Sequence, residues 1–273
     1  MNRVRQHYDD RKERGKKDFY TSPIVNLKKL NNWVKTLLIE DYLVEKATVL
    51  DLCGGRGGDL AKWTHGNVKH VTLVDNSEKQ IQFAKQRYDK LKPKFTADIF
   101  VGDATAPELQ EKLQPKQFDL VSCQFALHYC FETETKATQT LATISAVLKP
   151  GGYFILTIPD AHKIQSLCSF QNKCCRLKYV TPPFGAAYYF SLDDAITKCP
   201  EFLVDMDVLI ELAAKFKLKV SQDQSFQRIF KERKDQKAQH LAKIMQVPSS
   251  LQISDSEWET FGLYRAVSFR KIN

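Results

Sequence analysis

The sequence predicts an α/β protein with a mainly parallel seven-stranded sheet, helices on both faces and an antiparallel C-terminal hairpin. Two observations lead there. Short apolar runs of strand length alternate with segments of helical period, the pattern of right-handed βαβ crossovers over a buried sheet. The first of those runs opens directly into a glycine-rich turn, a common entry to the ligand-binding edge of such sheets.

Each element follows from its residues. Leu27, Leu30, Val34, Leu37 and Leu38 recur at helical spacing, so 24–40 is a helix with one apolar face. Ala47–Leu52 is the first strand, and a helix starts near Gly58. His70–Asp75 is the second strand, followed by a helix from Ser77 to Leu91. Thr96–Val101 and Phe118–Cys123 are the third and fourth strands. Thr135–Leu148 is helical until Lys149-Pro150-Gly151-Gly152 stops it, and Tyr153–Ile158 is the fifth strand. Further on, Asp205–Phe216 is a helix, Leu218–Val220 and Ser225–Phe230 are strand-like, and Leu263–Phe269 closes the sheet. The charged stretch Lys231–Lys243 is a surface helix or loop.

Composition bounds the rest. With 273 residues, 43% hydrophobic and 11% aromatic, the chain can bury a sizeable core. No apolar run approaches the roughly 18 residues of a membrane span, and the polar, basic N-terminus lacks a secretory apolar region. A soluble intracellular protein is expected. Residues 1–23 read as a flexible basic arm, and 24–273 as one domain with an insertion at about 160–200. Net charge is +9, from 41 Lys and Arg against 32 Asp and Glu, which favours polyanionic partners and nucleic acid first. His162, Cys168, Cys174 and Cys175 could gather a zinc, but buried free thiols are the better account, so no metal is expected.

The informative turn is Asp51-Leu52-Cys53-Gly54-Gly55-Arg56-Gly57-Gly58-Asp59. Its glycines let a ligand approach the backbone closely. Neither the dinucleotide fingerprint GxGxxG nor a GxxxxGK[ST] phosphate loop can be placed on it, so the ligand is nucleoside-like without a pyrophosphate. Asp75 ends the second strand about 20 residues on, where a carboxylate can accept from both ribose hydroxyls. Asp103 follows the third strand, within reach of an adenine amine, and Asp59 can receive a charged amino-acid tail. S-adenosylmethionine meets all of these constraints.

Beyond the fourth strand stands Gln124-Phe125-Ala126-Leu127-His128-Tyr129. With Leu30-Asn31-Asn32-Trp33-Val34-Lys35, the Gly-Gly-Arg-Gly-Gly-Asp turn, Pro200-Glu201-Phe202-Leu203-Val204, Ser256-Glu257-Trp258 and Tyr264, it makes residues 18–271 resemble the eukaryotic mRNA cap guanine-N7 methyltransferases. The resemblance implies a Rossmann-like class I methyltransferase fold. It implies contacts to S-adenosylmethionine from Lys35, Cys53 (through its backbone), Asp59, Asp75, Asp103, Gln124 and Tyr129. It implies that Asn31, Asn32, Arg56, Lys62, Arg87, Phe125, His128, Pro159, Glu201 and Tyr264 hold or flank the capped RNA end. The family often has Gly-Cys-Gly-Lys where this chain has Cys53-Gly54-Gly55-Arg56. Cys53 is therefore expected to keep a negative φ, and Arg56 to replace a point donor by a planar fork.

The chemistry of these groups agrees. Phe125 and Tyr264 can sandwich a flat base. Glu201 can accept from guanine N1–H and the exocyclic amine, and His128 can add a hydrogen bond that leaves N7 free. Arg56, Lys62 and Arg87 suit a triphosphate bridge. No side chain need act as a base, because guanine N7 carries a lone pair and no proton. His128, Tyr129, Glu201 and Tyr264 would work by positioning. The resemblance also implies a nuclear location and partners among the capping enzymes or RNA polymerase II machinery. A methyltransferase of another RNA or a small molecule, or a non-catalytic cap-binding subunit, are the competing readings; cap analogue against free GTP and uncapped RNA separates them.

Overall fold

A computed structural model describes residues 6, 9, 20–167, 169–179, 185–193 and 196–273. The basic run Arg11–Lys17, Cys168 and Pro182-Pro183 lie outside the described residues. Five strands build the parallel part of the main sheet: β1 Thr48–Leu52, β2 His70–Asp75, β3 Thr96–Val101, β4 Phe118–Gln124 and β5 Leu148–Pro159. Two more, β10 Leu218–Ser225 and β11 Tyr264–Lys271, complete an order β10-β11-β5-β4-β1-β2-β3. β1 pairs parallel with both β2 and β4, and β11 runs antiparallel between β5 and β10. The order reverses between β1 and β4, and such a switch point opens a crevice beyond the carboxyl ends of the strands.

Alternation along each strand sends neighbouring side chains to opposite faces. Val49, Leu120, Ile155 and Ala266 join one core with helices Val25–Tyr42, Leu60–His65 and Glu78–Leu91. Leu50, Val121, Leu156 and Val267 join the other, with helices Pro107–Leu113, Glu134–Val147 and Met206–Lys215. Both faces are covered, as the class requires.

The structure differs from the sequence reading in the C-terminal third. Ser225 ends β10, and its side chain accepts from Arg228 N–H to start a helix, Phe226–Glu232, where a strand is expected. Phe226, Ile229 and Phe230 are spaced i, i+3, i+4, the helical template rather than the alternation of a strand, and the serine cap starts the helix. The stretch 231–243 becomes part of that helix and of a second, Gln236–Ile244. β10 and β11 are antiparallel but joined through these helices and Asp255–Phe261 rather than by a tight turn. Lys149–Gly152 does not separate helix from strand, because β5 begins at Leu148.

The region expected as an insertion carries helix Ala161–Leu167 and a second, antiparallel sheet: β6 Ser169–Gln171, β7 Cys175–Tyr179, β8 Ala187–Leu192 and β9 Ile196–Phe202. β9 packs against the short helix Leu127–Cys130, which directly follows the end of β4. Among the described residues no helix is long and apolar enough to cross a membrane.

Candidate functional site

A cavity of about 420 Å³ lies at the carboxyl ends of β1 to β4. Its wall contains Lys35, Cys53, Asp59, Asp75, Asp103, Gln124 and Tyr129, all seven residues expected at the cofactor, together with Arg56 and Phe125. Residues far apart in sequence converge there: Cys53, Asp75, Asp103 and Gln124 stand at, or just beyond, strand ends, Lys35 reaches in from helix Val25–Tyr42, and Asp59 opens helix Leu60–His65.

The glycine turn forms the floor. Gly55 N–H donates to Asp75 Oδ2 at 2.9 Å, and Gly54 N–H to the Val74 carbonyl at 3.0 Å. A Cβ on Gly54 would stand 2.8 Å from Leu73 Cγ, and one on Gly57 2.5 Å from Leu60 Cδ1. The turn is therefore locked against both β2 and the following helix. Cys53 corrects the expectation of a negative φ: it adopts +57°. Reversing the chain sharply enough to bring Gly55 to Asp75 requires a left-handed residue at the strand end, which costs a non-glycine residue about 1–2 kcal/mol. Phe125, just past β4, takes the same conformation at +55°, with its N–H bonded to Thr157.

Asp75 Oδ1 also accepts from Ser77 N–H at 3.0 Å. Burial pushes its carboxyl up, and the backbone donors of Ser77 and Gly55 oppose that rise. Asp103 accepts from Thr105 N–H and Oγ1, both at 2.8 Å. Gln124 is oriented by Ser122 and Thr157 hydroxyls.

At the other end of the cavity lies an ionic knot. Lys35 Nζ stands 2.8 Å from Asp59 Oδ1, and Lys62 Nζ 2.6 Å from the same oxygen. Burial would raise Asp59, but the two ammonium groups overcome it and hold the carboxyl well below the usual range. Asp51, beneath the turn, is pushed up to about 7 by burial and by the charge of Asp59. Lys62 also donates to Asn32 Oδ1 at 2.7 Å. Expected as an open triphosphate donor, it is instead spent inside this knot, since a half-buried ammonium takes the nearest anion. Asn31 Oδ1 is buried without a hydrogen-bond partner.

Arg56 Nε donates to Gln80 Oε1 at 2.9 Å, and its guanidinium lies 4.5 Å from the centre of the Phe83 ring. Arg87 is exposed, with Nη1 4.0 Å from where a Gly58 Cβ would sit. Both cations border the glycine turn.

The remaining expected residues form a separate wall. Glu201 Oε1 lies 3.4 Å from Tyr129 Oη and 3.8 Å from His128 Nε2, and Oε2 accepts from Tyr188 Oη at 2.6 Å. Glu201 is pushed up to about 7 by burial, against the hydroxyls of Tyr188 and Tyr129. Neither ring nitrogen of His128 has a hydrogen-bond partner, and burial lowers it to about 3, so the imidazole is neutral. Leaving such donors and acceptors unpaired costs about 1–3 kcal/mol each, and a group kept at that cost invites a functional explanation. Tyr264 pairs with Pro159 across β11 and β5. Phe125 and Tyr264, expected to flank a flat base, meet edge to face here, 5.1 Å between centroids at 89°. That T-shaped contact is the favoured packing of two neighbouring rings.

Sequence reasoning assigned no role to Tyr188, Gln80 or Asp51, although Asp51 opens the informative turn. The Ser77–Gln80 spacing at a helix start offered a local signal for Gln80. Tyr188 had none, because only strand register brings it to Glu201.

Comparison with known proteins shows the family and the fold. The model of the mRNA (guanine-N(7))-methyltransferase domain matches residues 1–272. The mRNA cap guanine-N(7) methyltransferase of Drosophila melanogaster is 32% identical, over 98% of this chain and 76% of its own. The mRNA cap guanine-N(7) methyltransferase 1 of Oryza sativa is 35% identical, over 98% and 81%. The chain belongs to the mRNA (guanine-N(7))-methyltransferase family. It is an enzyme of that class, and its cofactor is S-adenosylmethionine. Solved structures agree on the fold: the CcbJ methyltransferase of Streptomyces caelestis superposes with a TM-score of 0.59 at 14% identity, covering 99% of this chain and 97% of that one. An S-adenosylmethionine-dependent methyltransferase of Clostridium acetobutylicum gives 0.56 at 14%, covering 90% and 92%. Among the described residues no three His, Cys, Asp or Glu side chains gather as a metal site.

Proposed function

We propose that this chain methylates N7 of the guanine cap on GpppN-ended RNA, by in-line displacement in a site that contains no general base. S-adenosylmethionine supplies a methyl group on a cationic sulfur. The cavity residues fit that molecule. Lys35 and Asp59 already form a cation–anion pair able to take a carboxylate and an ammonium, Asp75 presents a carboxylate to a ribose, and Asp103 and Gln124 serve the adenine side. Cys53 lends its backbone.

The observation that carries the cap assignment is Tyr129. It lines the cofactor cavity and its hydroxyl reaches Glu201 at 3.4 Å, so one side chain belongs to both halves of the site. Glu201 as a carboxylate accepts from guanine N1–H and the 2-amine, and neutral His128 hydrogen-bonds the base without taking a proton. Neither has a proton to remove from N7. Rate then comes from alignment and from exclusion of water. Arg56 and Arg87 serve the phosphate bridge, with Lys62 and Asn32 holding Asp59 in place behind them. Asn31, Phe125, Pro159 and Tyr264 flank the base.

We place the reaction in the nucleus, within reach of the capping enzymes and RNA polymerase II machinery, and assign 1–23 as a basic arm on a single domain spanning 24–273. The +9 charge supports a polyanionic substrate. Incubation with methyl-labelled S-adenosylmethionine and GpppG-ended RNA, free GTP or uncapped RNA tests the activity. Label on N7 of capped RNA is expected; label elsewhere on the RNA, or none on the cap, contradicts it.

A further inference from the structure

We propose that Tyr188 is a positioning residue for guanine recognition: its hydroxyl orients the Glu201 carboxylate and favours its ionised form. This rests on the reading that Glu201 accepts from the guanine edge.

The pair is built by strand register. Tyr188 on β8 lies directly opposite Glu201 on β9, and cross-strand neighbours project from the same face. Tyr188 is 1% exposed and Glu201 3%, so neither group has water as an alternative partner. The 2.6 Å bond from Tyr188 Oη ends on Oε2. Oε1 is thereby turned towards Tyr129 and His128, on the helix that follows β4 and borders the cofactor cavity. A carboxylate accepts through either oxygen and is free to rotate about its last bond. Pinning one oxygen fixes which direction the other faces.

The hydroxyl also governs charge. A protonated Glu201 would carry a donor where guanine offers two donors of its own, and would lose the recognition. Burial pushes the group up to about 7, and the Tyr188 O–H opposes that rise. The titratable groups around Glu201 are Tyr188 from β8, Tyr129 and His128 from helix Leu127–Cys130, Cys199 from its own strand and Tyr264 near Tyr188 from β11. His128 is neutral and carries no positive charge to help. Hydrogen bonds from the two tyrosines are therefore what oppose burial and favour the charged form.

The test compares wild type, Tyr188→Phe, Glu201→Gln and the double variant, with melting temperature, S-adenosylmethionine affinity by calorimetry, and initial rates against capped RNA from pH 6 to 9. Phenylalanine keeps the buried ring and removes one oxygen. Tyr188→Phe is expected to retain cofactor affinity and to raise KM for capped RNA about tenfold at pH 7. The deficit should shrink as pH rises, because the acid limb moves upward when the stabilising donor is lost. Selectivity for guanine over an inosine cap, which lacks the 2-amine, should fall with it. The double variant should be no worse than Glu201→Gln alone, since Tyr188 acts through that carboxylate. An unchanged KM in Tyr188→Phe beside a raised KM in Glu201→Gln overturns the inference. So does a loss that is equal at every pH and accompanied by weaker cofactor binding. An unaffected Glu201→Gln enzyme would instead remove the reading of Glu201 on which the inference rests.

Discussion

The two halves of the site are built on opposite principles. The cofactor rim is local: Asp75, Asp103 and the glycine turn are held by backbone N–H groups only a few residues away or on the neighbouring strand. The wall proposed for guanine is long-range: β9, paired with β8 in the second sheet, packs against the helix after β4, and β11 from the far end of the chain brings Tyr264 to Phe125. The rim is an open cavity, and among the described residues lining it no buried side-chain nitrogen or oxygen lacks a hydrogen-bond partner. The wall is closed and carries His128, whose two nitrogens are buried and unpaired. A rim made from turn chemistry can be shared among many methyl transfers; a wall assembled by tertiary packing is where a particular substrate is chosen.

If the halves are separable, each can be broken alone. The largest effects should come from one residue in each. Glu201→Ala should lower kcat/KM for capped RNA by at least about a hundredfold, because it strips the acceptor from two guanine donors. Asp75→Ala should act the other way, weakening S-adenosylmethionine about tenfold or more while leaving KM for the cap near wild type. Equal damage to both substrates by either variant would erase the distinction.

Much of the rim was legible in the sequence and much of the wall was not, for the same reason. Asp75 and Asp103 follow apolar runs whose period declares a strand, so their place at the carboxyl edge is implied by pattern. Glu201 and His128 were found only through resemblance to a family, and Tyr188 not at all, since no periodicity encodes which residue of β8 faces which of β9. The left-handed Cys53 was missed because side-chain identity argues for a negative φ, whereas the hydrogen bond from Gly55 to Asp75 demands the opposite. Ser225–Phe230 was misread as a strand from its aromatic and β-branched content, although its apolar residues are spaced i, i+3, i+4 and Ser225 caps a helix.

The wall should also show itself in the pH dependence of stability. Glu201 titrates higher in the fold, at about 7, than its ordinary 4.5, so the native state binds more protons in that window. Stability should therefore fall as pH rises from about 4.5 to 7, and Glu201→Gln should flatten the part it contributes, on the order of 2 kcal/mol. His128 works in the reverse sense. Lowered from 6.5 to about 3, it makes the fold lose stability as pH falls through that range. Thermal melts of Glu201→Gln and His128→Ala against pH check the two slopes; Asp51, also raised to about 7, adds a background common to them.

Smaller effects sharpen the rim. Lys62→Met leaves Asp59 with Lys35 alone, and should weaken cofactor binding a few-fold with little change in KM for the cap, if its ammonium serves Asp59 rather than phosphate. A rise in KM for capped RNA alone would return Lys62 to the triphosphate. Cys53→Gly removes a side chain from a left-handed position and should shift stability by no more than about 1 kcal/mol, relief of strain offsetting backbone entropy. Calorimetry should find cofactor affinity within about threefold of wild type, because only the backbone is used.

The most direct test is calorimetric titration of S-adenosylmethionine into the Glu201→Ala protein, beside its turnover of GpppG-ended RNA. Near-normal cofactor affinity in an enzyme that no longer methylates the cap is the predicted result. Collapse of cofactor affinity together with turnover would contradict the division of the site into two halves.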